Sequence, residues 1–298
     1  MNATRTDDLG IVTFNVRTGT CERGTPDAWA ERRGDCIALM LGGGYDFIGL
    51  QEVQWRPEDP DCDQAGDLRR GLAARGYGMV GRSREARPDV GEGAPVFYRL
   101  DRWEPDPDAQ GTLWLSETPD VPDSRSWDSQ CPRAMTWVRF RELAGGDPTG
   151  RTVLFANTHF DHIFEHTMLL QAELSDRLLA ERARPGEPVF LTGDFNAYER
   201  SWPVRHLLGE TVLPGAIRPA PLPFRDAWRE CHPGERDART FHHWGEWTND
   251  NRIDYVLFAG PGVRPVSADI DRTLRPNGRF PSDHYPVRTR FELSPAAR

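Results

Sequence analysis

The chain has 298 residues, 38% hydrophobic and 28% charged, with a formal net charge of −9. That length admits one large domain or two ordinary ones, and the apolar fraction supports a packed core and not a disordered chain. No stretch approaches the ~18 uninterrupted apolar residues of a membrane helix, and the acidic balance disfavours a nucleic-acid backbone as partner unless arginines cluster locally.

In chain order, residues 1–8 carry no apolar segment of the signal-peptide kind, so a soluble cytoplasmic chain is expected. Residues 11–16 read as a strand. Residues 27–41 read as a helix, with Trp29, Arg33, Cys36, Ile37, Met40 and Leu41 at helical spacing, Pro26 beside the first turn and a glycine run at 42–44 to stop it. Residues 47–53 are the next strand, and 67–75 a short helix ended by Gly76. Strands follow at 96–98, 112–115 and 134–140, separated by polar loops that include the Pro-rich stretch 104–108. Residues 151–158 form a further strand, and 164–183 the longest helix, closed by Pro185-Gly186. Strands at 189–192, 252–258 and 287–291 complete the set, with a second Pro-rich ordered loop at 213–224. Several strands follow one another with no helix between, which predicts an α/β chain of mixed sheets with helices outside. Neither a low-complexity linker nor a repeat of fixed period divides it, so one domain over residues 1–298 is expected.

The five cysteines include no C-x-x-C pair, which argues against a disulfide framework or a thiolate zinc site and for a reducing compartment. All 37 basic residues are arginine, so lysine Schiff bases and lysine phosphate anchors are excluded. The ten tryptophans read mainly as core and rim packing.

Polar clusters sit at the ends of the apolar runs: Thr13-Phe14-Asn15-Val16-Arg17, Gly49-Leu50-Gln51-Glu52, Thr192-Gly193-Asp194-Phe195-Asn196 and Ser282-Asp283-His284. Strand tips that deliver such groups converge on one crevice in an α/β scaffold. Glu52 ends a nearly continuous apolar strand, where an unpaired carboxylate is costly; a metal ion offsets that cost, and capping of the next turn is the alternative. Asp194 and Asn196, two apart with Gly193 between, face one ligand and suit activating a water and holding a phosphate oxygen; an Asx turn is the alternative. Asn157-Thr158-His159 ends another strand, and His162 follows. Oxygen donors are abundant and cysteine partners absent, so Mg²⁺ or Mn²⁺ is expected over a softer metal. His162, His166 and the His242-His243 pair read as surface residues. Asp254 interrupts an apolar strand and needs a partner, either His284, whose tautomer it would fix, or Arg252 in a surface pair. A G-x-S-x-G elbow, a P-loop and a G-x-G-x-x-G turn are all missing.

At these residues the chain resembles the endonuclease/exonuclease/phosphatase superfamily of metal-dependent phosphoesterases, which includes deoxyribonuclease I. The matching segments run in the family's order: Asn15, Gln51-Glu52, Asn157-Thr158-His159, Gly193-Asp194-Phe195-Asn196, Arg252-Ile253-Asp254-Tyr255 and Ser282-Asp283-His284. The resemblance implies a deoxyribonuclease I-like four-layer α/β/β/α sandwich of two mixed sheets. It implies Glu52 as principal Mg²⁺ (or Mn²⁺) ligand, assisted by Asn15 and Asp283. Asp194 would deprotonate or orient the attacking water, and Asn196 would hold that water or a phosphoryl oxygen. His284, paired with Asp254, would stabilise charge on the phosphoryl group. His159 would contact another oxygen with Glu92 as its carboxylate partner, and Asn157 would contact substrate. Trp114-Leu115-Ser116-Glu117-Thr118-Pro119 and Cys131-Pro132-Arg133 are similar to one bacterial branch of the family. Nuclease members commonly carry an acid two residues after the first Asn, where this chain has Arg17; with Arg133 it would make an anion clamp for a doubly charged terminal phosphate. The leading expectation is thus a Mg²⁺-dependent phosphoesterase acting as a monomer, away from membranes, on a small phosphorylated substrate. A nuclease acting on DNA or RNA is the alternative, and an inactive phosphate-binding module the third reading.

Overall fold

In the computed structural model, which describes residues 8–210, 218–248 and 252–294, strand β1 (Asp8–Asn15) is buried beyond its first residue. Both its faces are covered, which is why its run is apolar and not alternating. Helix α1 (Trp29–Gly42) crosses over to β2 (Phe47–Gln51), which lies parallel to β1. The chain continues through β3 (Val53–Trp55), α2 (Gln64–Ala73), β4 (Tyr77–Val80), β5 (Gly91–Gly93), β6 (Val96–Arg99), β7 (Trp103–Trp114) and β8 (Ala134–Ala144). A second crossover follows: β9 (Asp147–His159), α3 (Glu165–Arg182) and β10 (Val189–Asp194), again with the two strands parallel. Then come α4 (Trp202–Leu207), β11 (Arg225–Asp226), α5 (Ala227–Cys231), β12 (Asp254–Ala259), β13 (Val263–Ile270) and β14 (Val287–Leu293). Each crossover lies at the heart of a mixed six-stranded sheet, in the orders β13-β14-β1-β2-β6-β4 and β11-β12-β10-β9-β8-β7.

Strand parity decides which layer each side chain enters. Ile11, Phe47, Phe155, Phe190 and Phe258 point between the sheets and form the central core, where Phe47 packs on Phe155 with ring centroids 4.9 Å apart. Their neighbours Val12, Phe14, Ile48 and Leu50 turn outward to meet Trp29, Cys36, Met40, Leu68 and Leu72 of α1 and α2. Leu154, Ala156 and Leu191 meet Met168, Ala172, Leu179 and Val204 of α3 and α4. Four layers result, as the resemblance implied.

Toward one end of the sandwich the inter-sheet face turns polar. Gln51 donates from Nε2 to Thr13 Oγ1 (3.0 Å) and Asn157 Oδ1 (2.6 Å), while Thr192 Oγ1 donates to the same Asn157 oxygen (3.0 Å). Asn157 Nδ2 donates to the carbonyls of Leu50 (2.7 Å) and Pro95 (3.1 Å). This rung ties the two sheets together, and Gly49 leaves room for it, since a Cβ there would meet Asn157 Oδ1 at 2.7 Å and Thr192 Oγ1 closer still.

Some element expectations are corrected. The strand expected over 47–53 breaks at Glu52, whose φ of 59° lies in the left-handed region. The Pro-rich stretch 104–108 is not a loop but lies within β7. Its ladder slips between Pro105 and Gln110, and β7 is an edge strand, the setting in which proline's missing donor is tolerated. β13 is another edge strand, without an apolar run to announce it. The expectations for residues 1–7 and 211–217 fall outside the described residues. Among the described residues no helix is long and apolar enough to cross a membrane.

Candidate active site

The tips of β1, β9 and β10 and the start of β12 carry the polar residues onto one edge. Asp194 stands in register with His159 on one side and Asp254 on the other, so three ionisable side chains form a row. From the facing sheet come Asn15 and Glu52, and the turn before β14 adds Asp283 and His284. These groups open on a cavity of about 470 Å³ lined by Glu52, His159, Asp194, Asn196, Asp283 and His284 among others. Arg32, fully buried, holds two of the contributing loops by donating to the carbonyls of Arg17 (2.6 Å), Asp27 (2.8 Å) and Pro281 (3.2 Å), and to that of Val16.

His284 Nδ1 lies 2.9 Å from Asp254 Oδ2, and its Nε2 lies 3.7 Å from Asp194 Oδ2. Burial opposes charge on this imidazole, but Asp254, through its charge and hydrogen bond, and then Asp194 outweigh it and raise the pKa to about 10. Asp194 moves up to about 7, because it is buried beside Asp254. Burial also raises Glu52, yet Arg17, the Asn15 bond and His284 prevail and hold it below its usual range. Asp283 is raised by burial, with Glu52 adding to the effect. The expected Arg252–Asp254 alternative is not seen: Arg252 pairs with Glu199 (2.8 Å) and Asp226.

Asn15 spans the two sheets, donating from Nδ2 to Glu52 Oε1 and Asp194 Oδ2, both at 2.9 Å. Its oxygen accepts from the Arg17 N–H (2.9 Å) with one lone pair left, so Asn15 bridges two carboxylates through its amide nitrogen and keeps acceptor capacity on Oδ1. Asn196 donates from Nδ2 to the Phe160 carbonyl (3.1 Å) and contacts His159 Nε2 (3.0 Å). A carbonyl can only accept, so the amide nitrogen faces His159, whose Nε2 must accept and whose proton sits on Nδ1. Burial and the nearby Arg133 keep this imidazole well below its ordinary pKa, hence neutral. The expected His159–Glu92 pair is absent. Glu92 pairs with Arg84 at 2.5 Å, and His159 Nδ1 has no hydrogen-bond partner. A void of about 10 Å³ lined by Arg84, Glu92 and His159 is room for one water.

Two further expectations are corrected. Asn157 does not face the cavity; all four of its hydrogen-bonding capacities serve the inter-sheet rung, one layer below His159. Asn157→Ala should therefore lower stability by about 3 kcal/mol, from several buried groups left unpaired, with KM unchanged in the folded enzyme. A raised KM at unchanged melting temperature would return Asn157 to the substrate. The Arg17–Arg133 clamp is modified: both guanidiniums line the cavity, but Arg17 already has acidic neighbours. Arg17 is held by Glu22 (3.2 Å) and lies 3.6 Å from Asp283. Arg133, 4% exposed, has no carboxylate within ion-pair distance among the described residues; its Nη2 meets His162 Nδ1 at 2.9 Å, and its Nε has no partner among them. His162 is exposed as expected yet lines the cavity, and Arg84, Tyr198, Phe241 and Trp247 join it there without having been anticipated. They come from loops with no periodicity, and only the proximity of Tyr198 to Asn196 in sequence hinted at one of them.

Two sets of donor atoms lie within 4.8 Å of one another: Glu52, His159 and Asp194, and Asp194, Asp254 and His284. Asp283 belongs to neither, although its Oδ2 is buried without a hydrogen-bond partner and it lines the same cavity. Three crowded carboxylates, two with raised pKa, fit a hard divalent cation, which would relieve their mutual repulsion. Glu52, whose carboxyl is held below its usual range, could serve as a ligand of such a cation.

A family model described as "Endonuclease/Exonuclease/phosphatase family" matches residues 12–284. The solved structure of an endonuclease/exonuclease/phosphatase from Bacteroides vulgatus matches with TM-score 0.77 at 29% identity, covering 96% of this chain and 99% of that one. A mannosyl-6-phosphatase from Bacteroides thetaiotaomicron matches with TM-score 0.75 at 27% identity, covering 95% and 99%. The catalytic domain of human Nocturnin, at 17% identity and TM-score 0.69 over 99% and 97%, shares the fold alone. The comparison with curated proteins found no match.

Proposed function

The chain belongs to the endonuclease/exonuclease/phosphatase family, whose members hydrolyse phosphate esters, and from that premise we propose a Mg²⁺-dependent phosphomonoesterase acting on a small phosphorylated metabolite of the sugar-phosphate type. One observation carries the monoester choice. Arg133 is a buried guanidinium with no ion-paired carboxylate among the described residues, facing the cavity that also holds Asp194 and His284. A buried cation without a paired carboxylate is costly, and a terminal phosphate oxygen would offset that cost. The mannosyl-6-phosphatase relative supports a sugar phosphate. The net charge of −9 supports a small substrate over a nucleic acid. The cysteine pattern supports a reducing cytoplasm, and we take the working form to be a monomer.

In this reading Asp194 accepts the proton of the attacking water, a task that a carboxylate with a pKa of about 7 performs at neutral pH. Asn196, whose amide is fixed by Phe160 and His159, orients that water or a phosphoryl oxygen. His284 stays an imidazolium and donates from Nε2 to the oxygen on which charge develops, while Asp254 holds Nδ1–H. The neutral His159 holds the Asn196 amide through Nε2, and Arg133 takes a peripheral oxygen. A divalent cation, for which the carboxylates of Glu52 and Asp283 are the available ligands, would supply Lewis-acid polarisation and charge neutralisation when bound.

Arg133→Met tests the substrate choice. A charge-assisted contact is worth roughly 1.5–3 kcal/mol, so KM for a sugar phosphate should rise about 10- to 100-fold, and far less for a phosphodiester. Rapid cleavage of plasmid DNA with no turnover of small phosphate esters would put the nuclease reading first.

A further inference from the structure

We infer that Phe241, Trp247 and Tyr198 form an aromatic shelf on the cavity that receives the C–H face of a pyranose ring, the leaving group of the ester. The inference rests on the phosphoesterase reading above and adds what that reading leaves open, the part of the site that recognises the group carrying the phosphate. Trp247 and Tyr198 are 45% and 46% exposed, and both line the cavity. Large aromatic rings left in water beside a site are candidates for ligand contact in a way that singly scattered ones are not. The shelf is continuous with the chemistry. Phe241 makes an isolated antiparallel bridge with His284, and their rings lie 4.7 Å apart. Trp247 in turn meets Phe241 edge-on at 5.0 Å and 73°.

The loop that carries two of these rings is built, not slack. His243 and Trp244 adopt φ values of 44° and 57°, a left-handed conformation that costs free energy in residues with a Cβ. The backbone holds it with Gly245 N–H donating to His242 Nδ1 and Trp247 N–H donating to the His242 carbonyl, both at 3.1 Å. His242 itself is buried between Phe280 and Tyr285, with ring centroids 4.2 Å from each. Strain kept in place by a buried anchor marks a segment whose shape matters.

The aromatic surface begins against the imidazole that would meet the phosphoryl group, so the ring it contacts is the one nearest the ester oxygen. In a hexose phosphate that ring is the sugar itself. A pyranose is amphipathic, with apolar C–H faces and a hydroxyl rim, and the same cavity offers fixed donors and acceptors in Arg84, Glu92 and His162. In a nucleotide the base lies a ribose further out.

Two measurements test this. The first compares kcat/KM for a hexose 6-phosphate, glycerol phosphate and a nucleoside 5′-monophosphate in wild type, Trp247→Ala and Tyr198→Ala. The hexose-to-glycerol ratio should fall about tenfold in Trp247→Ala, the equivalent of one stacking contact. An unchanged ratio, or a loss confined to the nucleotide, overturns the pyranose assignment. The second measures saturation transfer from the protein to methyl mannoside, which has no phosphate. Signal is expected with wild type and should drop in Trp247→Ala; no signal with wild type overturns the shelf even in an active phosphatase. Retained sugar binding in a protein that hydrolyses no phosphate ester would overturn the phosphatase reading and leave the shelf standing.

Discussion

Asp254→Asn should lower turnover about 10³- to 10⁴-fold with the melting temperature nearly unchanged, because the paired acid both orients the His284 ring and sustains its charge. Asp254 is fully buried and its Oδ2 meets His284 Nδ1 at 2.9 Å. Asparagine fills the same space but is neutral, and it presents either a carbonyl or an amine to the ring. The imidazolium loses the carboxylate that sustains a pKa of about 10. In the proposed mechanism the protonated form is the useful one, so activity should be lost as pH rises through that pKa, and the alkaline limb of the rate profile should move to lower pH in the variant. The acid limb should move the same way. Asp254 contributes to the rise of Asp194, and removing its charge lets Asp194 ionise at lower pH. A titration of the His284 ring by NMR reads the first shift without reference to catalysis. Near-wild-type rates in both Asp254→Asn and His284→Ala would mean that the pair is wrongly assigned.

Removal of the cation should have a comparable effect. Excess chelator is expected to abolish activity and Mg²⁺ or Mn²⁺ to restore it. Glu52→Gln should cost at least about 100-fold, since it removes a ligand charge while keeping shape. Its Oε2 accepts from Thr18 N–H and its Oε1 from Asn15 Nδ2, both at 2.9 Å; the glutamine carbonyl can keep one of these bonds, while its amide nitrogen opposes the other donor. Stability gives an independent measure: Mg²⁺ at about 100 times its Kd should stabilise wild type by about 2.7 kcal/mol, and Glu52→Gln should lose most of that gain. Full turnover in excess EDTA would remove the metal from the reading altogether.

The parts of the site that were legible in the sequence lie at the ends of apolar strands. Glu52, Asp194 and the Asp254–His284 pair announce themselves because a polar group there contradicts its surroundings, and period-two spacing gives its direction. What the sequence did not reveal is which polar groups are already consumed by neighbours. Arg17 carries no sign that Glu22 and Asp283 will hold it, and Glu92 none that Arg84 will, because those pairings come from loop geometry. Asn157 is different, since a signal was present. It precedes His159 by two, as Thr192 precedes Asp194 and Thr13 precedes Asn15, so all three share a depth beneath the site. The edge-strand prolines were misread for the opposite reason: local turn chemistry was strong, and tertiary context overrode it.

The polar rung between the sheets bears on how the enzyme tolerates change. Contacts among Phe47, Phe155, Phe190 and their neighbours are non-directional, and a stack of rings resists separation far better than it resists shear. Directional bonds from Gln51 through Asn157 to Thr192 resist sliding, and they stand one layer below Asn15, which spans the same gap to Asp194. A lateral slip of a fraction of an ångström would be harmless in the aromatic zone and would misalign Asp194 from Glu52 at the mouth. The aromatic zone is thus free to accept volume-conserving substitutions over evolutionary time, whereas the rung works as a mechanical stop whose loss would appear first as a less exact alignment of the two half-sites, before any loss of fold.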